Sequence, residues 1–154
     1  MQKHDIVALG GTFDIIHDGH MKLLNKAFSI SNKAIIGLTS DELAAKKGKN
    51  LLKNYHQRFE SLKSVIEKNF PKSSYEITKL ENDFGPAVIE CSVRALVVSK
   101  ETSNKGRLLN ELRSKGNLPP VEIVVVPMVL AKDGNTISTT RIKNSEIDSS
   151  GNLN

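Results

Sequence analysis

Residues 10–20, GGTFDIIHDGH, contain three glycines, a threonine hydroxyl and two imidazoles, which are groups suited to holding a phosphate. Gly10 and Gly11 stand where the apolar run DIVALG ends, and a helix is predicted to begin near Asp18 or Gly19. Adjacent glycines let the backbone turn sharply and approach a ligand, and a helix N-terminus offers free N–H groups and a positive dipole to an anion. The stretch is neither GxxxxGK(S/T) nor GxGxxG, so it is not a P-loop and lacks the dinucleotide-binding fingerprint.

The two histidines of this stretch, His17 and His20, are three positions apart, which places both imidazoles on the same side of a helix start. There they could donate hydrogen bonds to phosphoryl oxygens whose charge grows during transfer. A purely structural capping role is one alternative. Metal binding is another, but zinc needs three or four protein ligands and the remaining histidines are His4 and His56, so we assign no metal site. Asp14 is interpreted as a turn residue that orders the loop, with a magnesium contact as the alternative.

A second polar motif, GNTISTTRIK, lies at residues 134–143. Ser138, Thr139 and Thr140 open a predicted helix, so their hydroxyls and backbone N–H groups could hold a polyphosphate, with Arg141 adding a fixed positive charge. A simple helix cap is the alternative, but it needs one hydroxyl and not three followed by an arginine. From these residues alone, a second phosphate contact and a helix cap both stay open.

Apolar, β-branched runs alternate with segments of helical periodicity, which predicts βα units. The alternation indicates an α/β fold: a Rossmann-like, doubly wound parallel sheet of about five strands with helices on both faces. Because such sheets bind ligands beyond the carboxyl ends of their strands, both polar motifs are expected at that edge. The predicted strands are 5–10, 33–38, 75–80, 94–99 and 121–127, and the main predicted helices are 20–30, 55–70 and 105–116.

Local signals refine these elements. The capping-box spacing from Thr39 to Glu42 predicts a further helix directly after the second strand. The nearly unbroken apolar runs ALVVS and VEIVVV are typical of strands covered on both faces. In the second main helix, one buried stripe is predicted from Phe59, Leu62, Val65, Ile66 and Phe70.

The length of 154 residues is that of a single domain, 1–154, with a polar tail at 148–154 that is expected to fray. No segment approaches the roughly 20 apolar residues that span a bilayer, and the start MQKHD is not a secretory signal. We therefore expect a cytoplasmic protein with no membrane partner. The single cysteine, Cys91, excludes an internal disulfide.

The net charge of +5 and the pI near 9.3 suit either a nucleic acid or an anionic small molecule. Aromatic residues make up only 5% of the chain and tryptophan is absent, so a base-stacking surface is poorly supplied. A phosphorylated small substrate is therefore favoured, and no nucleic-acid partner is expected.

The pattern GTFDxxHxGH between a first strand and a first helix resembles the signature of the HxGH nucleotidyltransferase superfamily, which class I aminoacyl-tRNA synthetases share. The length of the chain is expected to leave no room for the anticodon and acceptor-stem domains of those synthetases. The stretches GLTSDE, YHQR, VVSKET and NELRSKGNLPPVEIVVV, together with ISTTRI, are similar to the archaeal and eukaryotic type of phosphopantetheine adenylyltransferase over nearly the whole chain. Two departures are Ile15, where members often have proline, and ISTT, where ISST is common.

This resemblance implies transfer of AMP from ATP to 4'-phosphopantetheine, giving dephospho-coenzyme A and pyrophosphate, with Mg²⁺ bound through the triphosphate. It also implies that His20 stabilises the transition state, that His17 binds a nucleotide phosphate and that Thr12 holds the incoming phosphate. A lysine after the second strand would neutralise phosphate charge, with Lys46 the first choice and Lys47 the second. The implied nucleotide-binding residues are Gly10, Gly11, Thr12, Phe13, His17, Gly19, His20, Ser99, Glu101, Ser138, Thr139, Thr140 and Arg141.

Two other functions stay open at this point. One is a different small nucleotidyltransferase that acts on flavin or nicotinamide mononucleotide, or transfers a cytidylyl group. The other is a non-catalytic regulator that binds nucleotides or RNA, which the intact His17, His20 and ISTTRI disfavour. The sequence also leaves open whether the protein is a monomer or a small homo-oligomer.

Overall fold

Strands and helices alternate along the chain, as the sequence predicts. The structure, a computed structural model, describes residues 4–82, 93–99, 103–127, 129, 132–134, 137, 142, 147–148 and 150–153. The elements are β1 (His4–Gly11), α1 (Asp18–Ile30), β2 (Ser31–Thr39), α2 (Asp41–Lys46), α3 (Tyr55–Asn69), β3 (Tyr75–Leu80), β4 (Val93–Ser99), α4 (Asn104–Lys115) and β5 (Glu122–Val126).

The five strands form one parallel sheet in the order β3-β2-β1-β4-β5. The strand order reverses beside β1, because β2 pairs with one edge of this strand and β4 with the other. Helices α1 and α3 pack on one face of the sheet and α4 packs on the other. The predicted fold class, a doubly wound parallel sheet with helices on both faces, is therefore confirmed.

The larger part of the core lies between the sheet and helices α1 and α3. Leu24 of α1 and Leu62 and Ile66 of α3 are fully buried there against strand residues such as Ile36. Fully burying one such side chain contributes about 1.5–3 kcal/mol. The predicted stripe on α3 is confirmed at Leu62 and Ile66, and Phe59 and Phe70 pack at its margin. Val65, also predicted in the stripe, is only half-buried, because it lies toward the edge of this helix face.

Strand β5 differs from its prediction. It lies at the edge of the sheet, and Val125 keeps 47% of its surface exposed. The expectation that VEIVVV is covered on both faces was therefore wrong for this residue. The same expectation is confirmed for β4, which lies inside the sheet and buries Ala95, Leu96 and Val97.

Two polar side chains of α4 connect this helix to β4 and β5. The Asn110 amide accepts a hydrogen bond from Val121 N (2.8 Å) and donates one to Val121 O (3.1 Å). The Arg113 guanidinium is fully buried and donates to Pro119 O (2.9 Å) and Val93 O (3.4 Å). Both residues thus hold α4 against the sheet through backbone atoms.

The helix predicted directly after β2 is present, but its cap is one residue later than predicted. Ser40 is the N-cap of α2, and its hydroxyl accepts a hydrogen bond from Leu43 N at 3.0 Å. Thr39 ends β2 and donates its hydroxyl to Gly11 O at 3.1 Å. Because of this bond, Thr39 ties the carboxyl ends of β1 and β2 together.

The described part of the tail 148–154 forms a turn. Asp148 accepts hydrogen bonds from Ser150 N (3.0 Å) and Asn152 N (2.8 Å), and Ile147 bridges to Leu153. The polar composition from which fraying was expected is therefore used here in local hydrogen bonds. Among the described residues, no helix has the length and apolar character needed to cross a membrane.

Candidate active site

The loop between β1 and α1 lies where the strand order of the sheet reverses. Residues 12–17 follow the carboxyl end of β1, and Ser99 ends the neighbouring strand β4. Open α/β sheets bind ligands in the crevice at this point, because the loops of adjacent strands diverge there. The structure thus brings the glycine and histidine motif and Ser99 to one edge, as predicted.

His17 and His20 together cap helix α1. The Nδ1 atom of His17 accepts a hydrogen bond from Gly19 N (3.1 Å), and the Nδ1 atom of His20 accepts one from His17 N (3.2 Å). A ring nitrogen that accepts a hydrogen bond carries no proton, so each neutral imidazole carries its proton on Nε2. The two rings stack with centroids 4.0 Å apart. The capping role and the predicted donor role are therefore compatible, because they use different nitrogens of each ring.

The glycine between the two histidines is required by the first imidazole. A Cβ atom on Gly19 would lie 2.8 Å from His17 Cε1 and 3.0 Å from His17 Nδ1. Any larger residue would push the His17 ring out of its capping position. Gly19 is therefore needed to leave room for the His17 ring. The spacing of residues in the sequence does not reveal this requirement.

Both imidazoles are held in their neutral form. Desolvation by burial, followed by the electrostatic effects of the nearby His17 and Lys49, lowers the pKa of His20 to about 3. Burial also lowers the pKa of His17, against the opposing charge of Asp18. At neutral pH the two rings therefore act as hydrogen-bond donors and not as cations.

Phe13 has an unusual backbone conformation at the centre of the loop. Its φ of 51° lies in the left-handed region, which costs about 1–3 kcal/mol for a residue other than glycine. The side chain is buried, and its ring centroid lies 4.8 Å from that of His20. The contact places an apolar wall beside His20, which contributes to the desolvation of this imidazole.

The lysine that reaches the loop is Lys49. Its Nζ donates a hydrogen bond to Thr12 Oγ1 at 2.9 Å. Lys46 ends α2 and Lys47 is its C-cap, and both residues are exposed. Partial desolvation and then the charges of Lys47, Lys105 and Arg58 lower the pKa of Lys49.

The sequence did not identify Lys49, because spacing alone does not show which of several neighbouring lysines contacts the loop. The sequence does hold a signal, since Gly48 interrupts KKGK and adopts a φ of +72°. Glycine in this conformation typically ends a helix and redirects the chain. The residue after Gly48 was therefore the better candidate to turn back toward β1.

Asp14 orders the loop, as the sequence predicts. Its carboxylate is buried and accepts hydrogen bonds from Leu52 N (2.9 Å) and Lys53 N (3.0 Å). Both carboxylate oxygens are thus engaged by backbone donors. The alternative interpretation of Asp14 as a magnesium ligand is disfavoured by this geometry.

Arg58, the last residue of YHQR, is a second residue of the site that the sequence patterns do not identify. Its guanidinium is fully buried beneath the loop. It donates to Thr12 O (2.9 Å), Thr39 O (2.7 Å), Lys53 O (3.2 Å) and Asp41 Oδ1 (2.8 Å). Arginine is rarely buried, so composition gave no reason to expect this position.

Several predicted site residues lie outside the described residues. They are Glu101, Ser138, Thr139, Thr140 and Arg141, and the single cysteine, Cys91, also lies outside the described residues. Among the residues that the structure describes, no group of three or more His, Cys, Asp or Glu side chains is placed to hold a metal ion.

Comparison with known families agrees with this geometry. The profile of the family described as cytidylyltransferase-like matches residues 8–145, which include the loop after β1 and residues 138–141. The match covers far more than half of the chain. The chain therefore belongs to the cytidylyltransferase-like family.

Individual relatives indicate which enzymes of this family the chain resembles. The phosphopantetheine adenylyltransferase of Methanosarcina acetivorans is 44% identical over 150 residues, which cover 96% of this chain and 94% of the relative. That of Methanothermobacter thermautotrophicus is 36% identical over 152 residues, with coverages of 99% and 91%. Both matches confirm the resemblance to the phosphopantetheine adenylyltransferases of archaea.

A solved structure supports the fold. The crystal structure of a protein of unknown function from Archaeoglobus fulgidus matches with a TM-score of 0.71 and 31% identity. The match covers 82% of this chain and 89% of that chain. The nucleotidyltransferase-like architecture is therefore shared along most of both chains.

The low pKa of His20 predicts an acid-sensitive fold. The unfolded chain binds a proton at His20 below about pH 6.5 and the folded chain only near pH 3, so stability falls as the pH falls through this window. Replacing His20 with asparagine should remove this contribution. Urea midpoints measured at about pH 7 and about pH 4.5 should differ less in His20→Asn than in the unmodified protein.

The exposed residue His56 supplies the control for this measurement. His56→Asn should keep the full difference in urea midpoint between the two pH values. Equal pH dependence of His20→Asn and the unmodified protein would contradict a neutral, desolvated His20.

Proposed function

We propose that this protein transfers AMP from ATP to 4'-phosphopantetheine, releasing pyrophosphate and giving dephospho-coenzyme A. The observation that carries the proposal is the convergence of Lys49, Thr12 and the two capped imidazoles at the carboxyl end of β1. These groups form a cationic and hydrogen-bond-donating surface without a general base. The acceptor follows from the relatives named phosphopantetheine adenylyltransferase.

The reaction needs such a surface and no proton acceptor. The phosphate of 4'-phosphopantetheine is largely ionised at neutral pH, so one of its oxygens can attack the α-phosphorus of ATP directly. The new bond joins this oxygen to the α-phosphorus, and the bond to the bridging oxygen of pyrophosphate breaks. Catalysis then consists of positioning two anions in line and stabilising the charge that develops between them.

The geometry suggests a role for each donor. His20 Nε2–H would donate to an oxygen of the reacting α-phosphoryl group, and His17 Nε2–H to the nucleotide phosphates. Thr12 Oγ1 accepts from Lys49 Nζ, which leaves the hydroxyl proton of Thr12 free to donate to the incoming phosphate. Lys49 would neutralise that phosphate, a role for which Lys46 and Lys47 remain the sequence-based alternatives.

Other parts of the site complete the proposal. Ser138, Thr139, Thr140 and Arg141 would hold the polyphosphate of ATP, and Ser99 and Glu101 would contact its nucleoside. Mg²⁺ would bind through the triphosphate oxygens. The buried carboxylate of Asp14 would not serve as a ligand, because backbone donors occupy both of its oxygens. When bound, the ion would neutralise charge on the leaving pyrophosphate.

The proposed setting is the cytoplasm. The proposed partners are ATP and 4'-phosphopantetheine, without a nucleic acid or a membrane. The protein would act as a monomer or a small homo-oligomer.

An acceptor panel tests the proposed function. Purified protein is incubated with ATP and Mg²⁺ and with 4'-phosphopantetheine, flavin mononucleotide or nicotinamide mononucleotide, and pyrophosphate release is measured. We expect release with 4'-phosphopantetheine alone. Release with another acceptor and none with 4'-phosphopantetheine would overturn the proposal, and replacing ATP with CTP tests the choice of nucleotide.

Loss of the His20 donor should affect turnover more than binding. Removal of one such donor to a developing charge typically costs about 3–4 kcal/mol of barrier, so kcat of His20→Ala should fall by about a hundredfold or more. The Kd for ATP, measured by calorimetry, should change much less. A parallel loss of ATP affinity and kcat would assign His20 to ground-state binding instead.

A pair of lysine variants identifies the phosphate-neutralising residue. Lys49→Met removes the cation that contacts Thr12, and Lys46→Met removes an exposed one at the end of α2. Loss of a charged hydrogen bond of about 1.5–3 kcal/mol should lower kcat/KM for 4'-phosphopantetheine about 10- to 100-fold in Lys49→Met. The larger loss in Lys46→Met would restore the sequence-based choice.

A further inference from the structure

The Arg58 guanidinium joins three stretches of chain, at residues 12, 39–41 and 53, that form or surround the proposed phosphate-binding loop. Nη1 donates to Thr12 O in the loop and to Thr39 O at the end of β2. Nη2 donates to Asp41 Oδ1 at the start of α2, and Nε donates to Lys53 O. Because these four acceptors come from three separate stretches of the chain, one rigid planar group sets the distances between the stretches.

Three of the four acceptors are backbone carbonyls, so Arg58 fixes the course of the main chain. Burial of part of Asp41 opposes its ionisation, but hydrogen bonds from Arg58 and from Tyr55 N outweigh this effect and lower the pKa of the carboxyl group. The buried cation is thus matched by one ionised carboxylate. Asp41 keeps 46% of its side chain exposed, so it is the fully buried guanidinium that would lose its charged partner if Asp41 were removed.

The segment 47–54, called the lysine loop below, is held at two points. Asp14 accepts from Leu52 N and Lys53 N, and Arg58 Nε donates to Lys53 O. Arg58 Nη1 meanwhile holds Thr12 O, the carbonyl of the residue whose hydroxyl contacts Lys49. One guanidinium therefore holds both the backbone beneath Thr12 and the loop that carries Lys49.

We propose that Arg58 is a positioning residue that sets the separation between Thr12 and Lys49, and so builds the subsite for the acceptor phosphate. The inference rests on the proposed function. Arg58 has no exposed surface, so it acts through Thr12 and the lysine loop and does not itself touch the substrate. The same bond to Thr12 O supports the left-handed conformation of Phe13, the residue that packs against His20.

Arg58→Lys is the informative substitution. Lysine keeps the positive charge, but its single ammonium group cannot span acceptors that a planar guanidinium reaches from three nitrogens. Arg113→Lys is the matched control, because Arg113 is equally buried and also donates to backbone carbonyls, at Pro119 and Val93. Both variants should lower Tm, which separates loss of stability from loss of positioning.

Kinetics of the two variants test the proposal. A misplacement of about 1 Å typically costs about a hundredfold in rate, so kcat should fall by this order in Arg58→Lys, with a higher KM for 4'-phosphopantetheine. The KM for ATP should change less than the KM for 4'-phosphopantetheine, since Ser99 and residues 138–141, which are proposed to hold the nucleoside and the polyphosphate, are not bonded to Arg58. Arg113→Lys should keep the kcat of the unmodified protein. Equal kcat values in Arg58→Lys and Arg113→Lys would overturn the proposal.

Two further measurements keep the test decisive. If Arg58→Lys does not fold, Asp41→Asn weakens the charged anchor of the guanidinium, and its kcat should fall about fivefold. An unchanged kcat in that variant would overturn the proposal. If the unmodified protein is inactive with 4'-phosphopantetheine, the proposed function fails by itself. Calorimetry with inorganic phosphate, the group that the Thr12 and Lys49 subsite would hold, then decides: Kd should rise about tenfold in Arg58→Lys and stay constant in Arg113→Lys, and equal Kd values would overturn the proposal.

Discussion

The two hydrogen bonds from backbone amides to the imidazoles of His17 and His20 determine what this site can do. Because Gly19 N and His17 N bind the Nδ1 atoms, the protons of both rings are confined to Nε2. Stacking of the rings and the contact with Phe13 then remove water and keep the imidazoles neutral. A neutral ring offers a donor of fixed direction without adding a charge, which suits a phosphoryl group whose charge moves during transfer.

The remainder of the site depends on polar groups buried under the loop. Asp14 and Arg58 make hydrogen bonds to backbone atoms that lie far along the chain, and they hold the loop after β1 against the segment that carries Lys49. Such buried polar groups stabilise a fold only when their partners are complete. Here the complete set of hydrogen bonds also fixes the positions of Thr12 and of the segment that carries Lys49. The hydrogen bonds of Asp14 and Arg58 thus both satisfy buried polar groups and fix the geometry of the site.

Sequence analysis predicted the parts of this protein that depend on local patterns. Strand runs, helix periodicity and the glycine and histidine motif are read from neighbouring residues, and the elements follow them closely. The exposure of Val125 was not predictable in this way, because it depends on which strand lies at the sheet edge. The roles of Lys49 and Arg58 also depend on contacts between distant parts of the chain. Both residues contact Thr12, from which Lys49 is 37 positions away and Arg58 is 46 positions away. The nitrogen that each histidine uses also depends on three-dimensional geometry.

His17, the N-cap of α1, is a position where stability and anion recognition favour different residues. Serine, threonine, aspartate and asparagine are the usual N-cap residues, and imidazole is a poorer choice for that position. Replacing His17 with one of them would strengthen the helix start while removing an Nε2–H donor from the loop. Selection for heat resistance and selection for anion recognition therefore pull this position in opposite directions. Stabilising substitutions are easier to accept elsewhere in the fold than at the first turn of α1.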